Sequence, residues 1–283
     1  MRIIRDIREM QAASRIARAQ ASTIGFVPTM GALHAGHLSL VQQARKRADL
    51  IVVSIFVNPL QFGPSEDFAQ YPRTLEADCE KLEGVGVDIV FAPPVEQMYP
   101  AGATTVVCVE GLSEMLDGRS RPGHFKGVST VVAKLFHIVQ PDYAIFGQKD
   151  AAQVAVLRRM VRDLNMDVEL VVAPIVREAD GLALSSRNAY LTTDERRQAL
   201  VLHRALERVA AHAKSGEISA ANLRKVALSV LAAEPAAKID YCEIVDPETL
   251  EAVEDVSGGA LVAVAASFGK TRLIDNLLLG KRD

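Results

Sequence analysis

Two histidines in the segment from Pro28 to His37 carry the clearest chemical potential in this sequence. The segment reads PTMGALHAGH, with His34 and His37 three positions apart and Gly36 between them. Side chains at this spacing share one face of a helical turn, so both imidazoles could point at one ligand. Their N–H groups would suit anionic oxygens that gain charge as a phosphoanhydride breaks. Gly36 would let that ligand approach the backbone, and a helix beginning here would add its N–H groups and positive dipole end.

We interpret this segment as a phosphate-binding loop. Two alternatives are a pair of surface histidines and a metal site. A metal site needs at least a third protein ligand, and none stands nearby in the sequence.

A glutamine-bearing loop, Asn58 to Gly63, follows the next apolar run. The Gln61 side chain offers both a donor and an acceptor, which suits a hydroxylated, carboxylated substrate better than a charge would. Gln61 is equally consistent with a turn residue bonded to the backbone.

The segment Gly147-Gln148-Lys149-Asp150 follows another apolar run and precedes a helical pattern. Gly147 would permit close approach of a ligand to the backbone. Lys149 can reach a phosphate as a compact charge. Asp150 can cap the helix or accept from a ribose hydroxyl.

The segment Leu184-Ser185-Ser186-Arg187 contains two hydroxyls and a guanidinium at consecutive positions. They can surround phosphate oxygens, and a mobile loop could deliver them after a nucleotide has bound. A serine that caps the following turn is the alternative, and it leaves Arg187 unexplained. Arg121, His124 and Lys126 are further candidates on a loop bounded by Gly and Pro.

The elements that would position these loops alternate between strands and helices. Apolar runs rich in Val and Ile, typical of strands covered on both faces, lie at 24–29, 50–57, 87–91, 143–146 and 168–172. Helical spacing occurs at 38–47, 74–82, 128–139 and 151–164. This alternation predicts an α/β fold with a Rossmann-like, doubly wound parallel sheet, whose ligands bind beyond the carboxyl ends of the strands.

The pattern changes after about residue 176. Helices are predicted at 193–214 and 220–233, followed by strands at 239–245, 260–266 and 272–278. We therefore expect a domain at 1–175 and a second, smaller α+β domain at 176–283, with Glu178 to Gly181 as a turn or hinge near the junction.

Composition limits the class of protein. The chain has 283 residues, 49% of them hydrophobic, and a formal net charge of -3, so it lacks the basic excess of a nucleic-acid binder. No apolar run is long enough to predict a membrane span. The three cysteines are widely separated, which argues against a disulfide framework and favours a reducing cytoplasm.

Six ordered motifs resemble those of the pantoate–β-alanine ligase family, in the nucleotidylyltransferase superfamily with a HIGH-type signature. They are FVPTMGALHAGHLSLV at 26–41, VSIFVNPLQFG at 53–63, YPRT at 71–74, RPGHFKGV at 121–128, FGQKD at 146–150 and VREADGLALSSRN at 176–188. Two positions depart from common family residues, with Gln148 in place of Glu and Leu184 in place of Met, and we expect neither change to alter the chemistry.

The resemblance implies an enzyme that condenses (R)-pantoate with β-alanine and converts ATP to AMP and pyrophosphate through a bound pantoyl adenylate. It implies pantoate or β-alanine contacts at Gln61, Gln153 and Arg121. It implies catalytic roles for His34, His37, Lys149, Ser185, Ser186 and Arg187. The implied ATP contacts are Met30, Gly31, Ala32, Leu33, His34, Ala35, Gly36, His37, Gly147, Gln148, Lys149, Asp150, Val176, Leu184, Ser185, Ser186 and Arg187.

ATP chemistry generally uses Mg²⁺, which is bound largely through the substrate phosphates. Glu76 and Asp78 could touch hydrated metal, but both fall on a predicted helix, where a solvated face is the commoner role. We therefore assign no protein ligand to the metal. The resemblance also implies a homodimer.

Two other classes share parts of this pattern. A nucleotidylyltransferase acting on a phosphorylated acceptor would have the histidine loop without the Asn58–Gly63 loop. A nucleotide sensor would bind ATP without turnover.

Overall fold

The computed structural model describes residues 1–63, 66 and 68–280. The described chain forms two compact units. The first contains Met1–Gly147 and Val156–Pro174, and the second contains Gln148–Ala155 and the chain from Ile175 onward.

The first unit is built on a six-stranded sheet in which every pairing is parallel. The spatial order is β1-β4-β3-β2-β5-β6. The strands are β1 (Arg2–Ile4), β2 (Ile24–Thr29), β3 (Leu50–Ile55), β4 (Ile89–Phe91), β5 (Tyr143–Gly147) and β6 (Glu169–Ala173).

Helices cover both faces of this sheet. Phe26 of β2 packs edge-on against Phe136, with ring centroids 6.4 Å apart, whereas the adjacent Val27 belongs to a buried cluster with Val41 and Leu82. Neighbouring strand residues point to opposite faces, so both faces are buried and the predicted doubly wound sheet is confirmed. The helices of this part of the chain are α1 (Ile7–Ala19), α2 (Ala35–Arg45), α3 (Leu75–Gly84), α4 (Val95–Met98), α5 (Asp117–Ser120), α6 (His124–Val139) and α7 (Ala151–Asp163). The first five residues of α7 belong to the second unit.

The strand order reverses between β2 and β5. From β2 the chain builds outward through β3 and β4 on one side, and β5 and β6 occupy the other side. The histidine loop leaves the carboxyl end of β2, and Gly147 ends β5. Ligands of open α/β sheets bind at such a switch point, so the fold places the phosphate-binding candidate where a ligand is expected.

The second unit contains a three-stranded antiparallel sheet in the order β7-β8-β9. Its strands are β7 (Lys238–Val245), β8 (Ala260–Phe268) and β9 (Thr271–Leu279), and its helices are α8 (Thr193–Lys214) and α9 (Ala220–Ala232). Leu202 of α8, Leu223 of α9 and Val262 of β8 share one buried cluster. The predicted smaller α+β arrangement is confirmed. No helix in the described ranges combines the length and apolarity needed to cross a membrane.

The structure corrects the sequence prediction most clearly at the start of the chain and at the start of α6. Strand β1 and helix α1 were not predicted, because charged residues interrupt the apolar pattern of the first nineteen positions. Helix α6 begins at His124, four residues earlier than predicted, so His124 and Lys126 lie on its first turn rather than on a loop. Gly123 precedes the helix with a φ of 83°, a left-handed conformation that glycine adopts without steric cost.

Candidate active site

His34 and His37 cap the start of α2 together. The Nδ1 atom of His34 accepts from the backbone N–H of Gly36 at 3.2 Å, and Nδ1 of His37 accepts from the N–H of His34 at 3.4 Å. The two rings are 4.1 Å apart between centroids. Because both Nδ1 atoms accept in these bonds, the N–H of each ring lies on Nε2.

This arrangement refines the phosphate-loop prediction. The two histidines share a face, as their spacing predicts. The N–H groups of His34 and Gly36 are already paired with imidazole nitrogens, so the expectation that the helix start offers unpaired N–H groups is wrong for these two. The ring Nε2 atoms are the donors that this turn can direct at an anion.

The carboxylate of Asp78 braces the same loop from α3. Its two oxygens accept from the backbone N–H groups of Ala32 and Leu33, each at 2.8 Å. Thr74 donates its hydroxyl to Asp78 at 3.1 Å, and the Asp78 residue is completely buried. The expected solvated role is therefore wrong for Asp78, although Glu76 is exposed as expected. Both Asp78 oxygens therefore hold the backbone of the loop.

The contact between Asp78 and this loop requires glycine at position 31. The φ of Gly31 is 84°, and a Cβ there would lie 3.1 Å from Oδ2 of Asp78 and 3.2 Å from a methyl carbon of Ile55. A side chain would therefore combine backbone strain with a tight contact on both sides.

Gln61 is held by an ordered amide network in the first unit. Tyr99 donates its hydroxyl to Oδ1 of Asn58 at 2.8 Å, and Nδ2 of Asn58 donates to Oε1 of Gln61 at 3.0 Å. Burial raises the pKa of the Tyr99 hydroxyl, so the hydroxyl remains a donor. These bonds direct Nε2 of Gln61 toward Sδ of Met30 at 3.0 Å. Since thioether sulfur is a weak acceptor, the Gln61 amide retains strong donor capacity.

Close backbone packing positions this loop. Nδ2 of Asn58 also donates to the carbonyl of Gly127 in α6 at 3.1 Å. A Cβ on Gly127 would collide with the carbonyl of Leu60, and would lie 2.7 Å from the backbone nitrogen of Gln61. Glycine at 127 therefore permits the loop to lie directly on the helix.

Arg121 is engaged within the first unit. Its guanidinium makes two bonds of 2.7 Å to the Glu66 carboxylate. Burial opposes ionisation of Glu66, but the bond and charge of Arg121 outweigh it and lower the Glu66 pKa. The guanidinium also contacts His124 and the carbonyl of Gln61.

His124 is a neutral imidazole between these groups. Its Nδ1 donates to the carbonyl of Gln61 at 2.8 Å, while its Nε2 lies 3.0 Å from an Arg121 nitrogen that can only donate. Burial, followed by the Arg121 charge, lowers the His124 pKa from 6.5 to about 4. His124 therefore supports the Gln61 backbone at neutral pH without carrying charge.

In the second unit, Asn276 holds the Gln148–Asp150 turn. Its Nδ2 donates to the carbonyls of Gln148 at 3.0 Å and Lys149 at 2.9 Å. Its Oδ1 accepts from the Gln148 side chain at 2.9 Å. Asp275, its neighbour on β9, forms a bidentate pair of 2.6 and 2.9 Å with Arg177.

The segment from Val176 to Arg187 turns back on itself. Leu184 donates its backbone N–H to the carbonyl of Val176 at 3.0 Å. The Ser185 hydroxyl accepts from the N–H of Arg187 at 3.3 Å, so it caps a short 3₁₀ turn, Ser186–Tyr190. The capping alternative thus describes Ser185, whose O–H can still donate. Ser186 and Arg187 are partly buried beside it.

The proposed site residues divide between the two units. Residues Met30 to His37, Gln61, Arg121 and Gly147 belong to the first, and the others belong to the second, including Gln153 on α7. Sequence reasoning missed the roles of Asp78, Asn58, Tyr99 and Asn276. For Asn276 the sequence did hold a signal, because Asp275 and Asn276 are adjacent polar residues within the apolar stretch 273–279.

A parallel sheet with a His-x-Gly-His turn at its switch point defines a nucleotide-binding α/β protein of the HIGH-type nucleotidylyltransferase class. Within this class, the family model described as pantoate-beta-alanine ligase matches residues 2–278. The chain therefore belongs to the pantoate–β-alanine ligase family.

Individual relatives agree over nearly the whole chain. The pantothenate synthetase of Koribacter versatilis is 64% identical, over 99% of this chain and 96% of that protein. The crystal structure of pantothenate synthetase from Thermus thermophilus has a TM-score of 0.93 at 50% identity, covering 98% of this chain and 99% of that one. A Francisella tularensis pantoate–β-alanine ligase, solved with beta-gamma ATP and β-alanine, has a TM-score of 0.80 at 33% identity, covering 98% and 97%.

The protein is thus an enzyme that ligates pantoate and β-alanine. This assignment selects the ligase interpretation over a transferase acting on phosphorylated acceptors and over a nucleotide sensor.

Proposed function

We propose that the enzyme forms pantothenate in two steps, the first of which consumes ATP. A carboxylate oxygen of (R)-pantoate attacks the α-phosphorus, the bond to the β-phosphate breaks, and pyrophosphate leaves a bound pantoyl adenylate. The β-alanine amine then attacks the acyl carbon, loses a proton and displaces AMP. A carboxylate is already a nucleophile, so the first step needs positioning and charge stabilisation rather than a base.

The reciprocal capping of His34 and His37 is the observation that carries this proposal. It leaves an Nε2 proton on each ring, and the turn that carries both histidines follows β2, beside the switch point of the sheet. We propose that these protons bond to phosphate oxygens of ATP as charge develops during adenylate formation. Met30 to Leu33, Ala35, Gly36 and Gly147 would line the adjoining nucleotide surface.

The second unit would supply the remaining positive charge. We propose that Lys149, Ser186 and Arg187 contact the β- and γ-phosphates, with Ser185 donating its hydroxyl while it caps the turn. Gln148, Asp150, Val176 and Leu184 would complete the ATP contacts. Gathering cations on these loops allows a chain of net charge -3 to bind a polyanion.

Pantoate would bind through amides. The network that fixes Gln61 directs its Nε2 donor toward a weak sulfur acceptor, which a carboxylate or hydroxyl oxygen of pantoate would replace favourably. Gln153, partly buried on α7, would provide a second amide. Arg121 would contact substrate only by sharing or exchanging its Glu66 partner.

We propose Mg²⁺ as a companion of ATP. Across the described ranges, three or more His, Cys, Asp or Glu side chains do not gather into a metal-binding group. A hydrated Mg²⁺ would be held mainly by the substrate phosphates, and it would neutralise part of their charge.

We further propose a cytoplasmic homodimer in which residues 1–175 bind ATP and pantoate and residues 176–283 close over them. Light scattering tests the dimer, which would have twice the chain mass of 30.6 kDa. Domain closure predicts that ATP and pantoate together lower the radius of gyration in solution scattering.

Pyrophosphate–ATP exchange tests the chemistry. Exchange that requires pantoate and proceeds without β-alanine would support the adenylate. A folded protein that binds ATP but shows no exchange with pantoate would overturn it.

A further inference from the structure

We infer that Asn276 is a positioning residue for Lys149. The inference rests on the proposed role of Lys149 at the ATP phosphates. The side-chain amide of Asn276 makes three bonds to the turn that carries this lysine, two to its carbonyls and one to the Gln148 side chain.

The amide uses both of its donors and its acceptor oxygen at one place. Both Nδ2 protons and the Oδ1 acceptor meet groups of Gln148 and Lys149, and Asn276 is only 4% exposed. Burying an amide costs free energy unless the amide is hydrogen-bonded. The bonds to the turn therefore fix the orientation of the Asn276 side chain, and the same bonds fix the conformation of the turn. No other uncharged side chain of this size supplies two donors and an acceptor.

Asn276 is itself fixed in place. Its backbone N–H donates to Oδ1 of Asp275 at 2.8 Å. The same carboxylate is paired with Arg177, which also donates to the carbonyl of Gly181 at 3.1 Å. One point on β9 therefore anchors the Gln148–Asp150 turn and the beginning of the Val176–Arg187 segment within the second unit.

Through these bonds Asn276 affects the position of Lys149 as well as the stability of the fold. Lys149 has a long, flexible side chain, and its amine can reach a phosphate reproducibly only if its backbone is held. Removing the amide would release both carbonyls and move the lysine. Misplacing a catalytic group by about 1 Å can cost on the order of 10²-fold in rate.

A double-mutant cycle with Lys149→Ala tests the inference. We expect Asn276→Leu to lower kcat/KM for ATP by about tenfold to a hundredfold in pantoate-dependent exchange. In the Lys149→Ala background, the same change should lower it less than about twofold, because the group that it positions is absent. Leu278→Ala, at an exposed position of the same strand, is the control and should retain exchange.

Asn276→Asp provides a second variant in case Asn276→Leu does not fold. It keeps the shape and one acceptor but places a carboxylate oxygen against the two carbonyls, so it should behave in the cycle as Asn276→Leu does. Equal losses in both backgrounds would show a general structural defect and overturn the inference. If Lys149→Ala is impaired but the Asn276 variants are fully active, the inference is overturned and the role of Lys149 stands. If Lys149→Ala shows wild-type exchange, the role of Lys149 and the inference are both overturned.

Discussion

The Nδ1 atom of His37 accepts the backbone N–H of His34, and this bond gives His37 two separable roles. The Nδ1 side of the ring stabilises the start of α2. The Nε2 side is the proposed donor to ATP. An imidazole can perform both because its two nitrogens are distinct and point in different directions from the ring.

Asparagine variants should separate the two roles. An Asn side chain can accept at a position similar to Nδ1, and at position 34, the N-cap of α2, it is also a preferred residue. It does not extend to the position of Nε2. We expect His34→Asn and His37→Asn to keep the wild-type free energy of unfolding within about 1 kcal/mol, while exchange falls by about 10²–10³. Urea denaturation and exchange measure the two effects, and near-wild-type exchange would remove that histidine from the catalytic set.

Removing the Asp78 carboxylate should disrupt the loop. In Asp78→Ala, the buried N–H of Leu33 and the partly buried N–H of Ala32 lose their acceptor, and an unpaired buried group costs about 1–3 kcal/mol. We expect a loss of at least about 1 kcal/mol of stability, the lower end of the cost for the buried N–H alone, and a higher KM for ATP. Glu76→Ala, on the exposed side of the same helical turn, is the control and should change stability by less than about 0.5 kcal/mol. Equal stability of the two variants would contradict the brace.

A methyl group at Gly127 should displace the glutamine loop. Its Cβ would meet the backbone of Leu60 and Gln61, which cannot move as a flexible side chain can. We expect Gly127→Ala to lose about 1–3 kcal/mol from overpacking and to raise KM for pantoate more than KM for ATP. Gly84→Ala is the matched control, since it also lies in a helix but has no atom within 4 Å of the added Cβ. Unchanged pantoate kinetics in Gly127→Ala would argue against loop displacement.

His124 should make stability depend on pH. Its pKa is about 4 in the folded protein and 6.5 in the ordinary, unfolded environment. Between these values the unfolded chain binds more protons, so stability is full above pH 6.5, falls as the pH drops toward 4 and loses nothing more below it. The total loss from this residue is on the order of 3 kcal/mol.

His124→Gln is the comparison for this pH effect. Its amide can still donate to Gln61 and accept from Arg121, but it does not titrate. We expect the stability difference between wild type and variant to change between pH 6.5 and about 4 in urea denaturation. A constant difference would show that His124 does not carry this dependence.

The sequence by itself determined the fold class and the identity of the main loops. Uninterrupted apolar runs require burial on both faces, and polar segments after parallel strands must gather at one edge of the sheet. The three-residue spacing of His34 and His37 was sufficient to place them on one face. These features are local or follow from strand direction, so they can be read without coordinates.

Only the tertiary structure decided which groups hold the loops. Asp78 lies 46 positions from Ala32 along the chain, and Asn276 lies 127 positions from Lys149, so no local pattern connects either pair. Whether a carboxylate on a helix faces water or buried N–H groups depends on which chain segment packs against that side of the helix. The candidate site residues could therefore be identified from their types and spacing. The residues that hold them in place could not, because they act through long-range packing that brings distant chain segments within hydrogen-bonding distance.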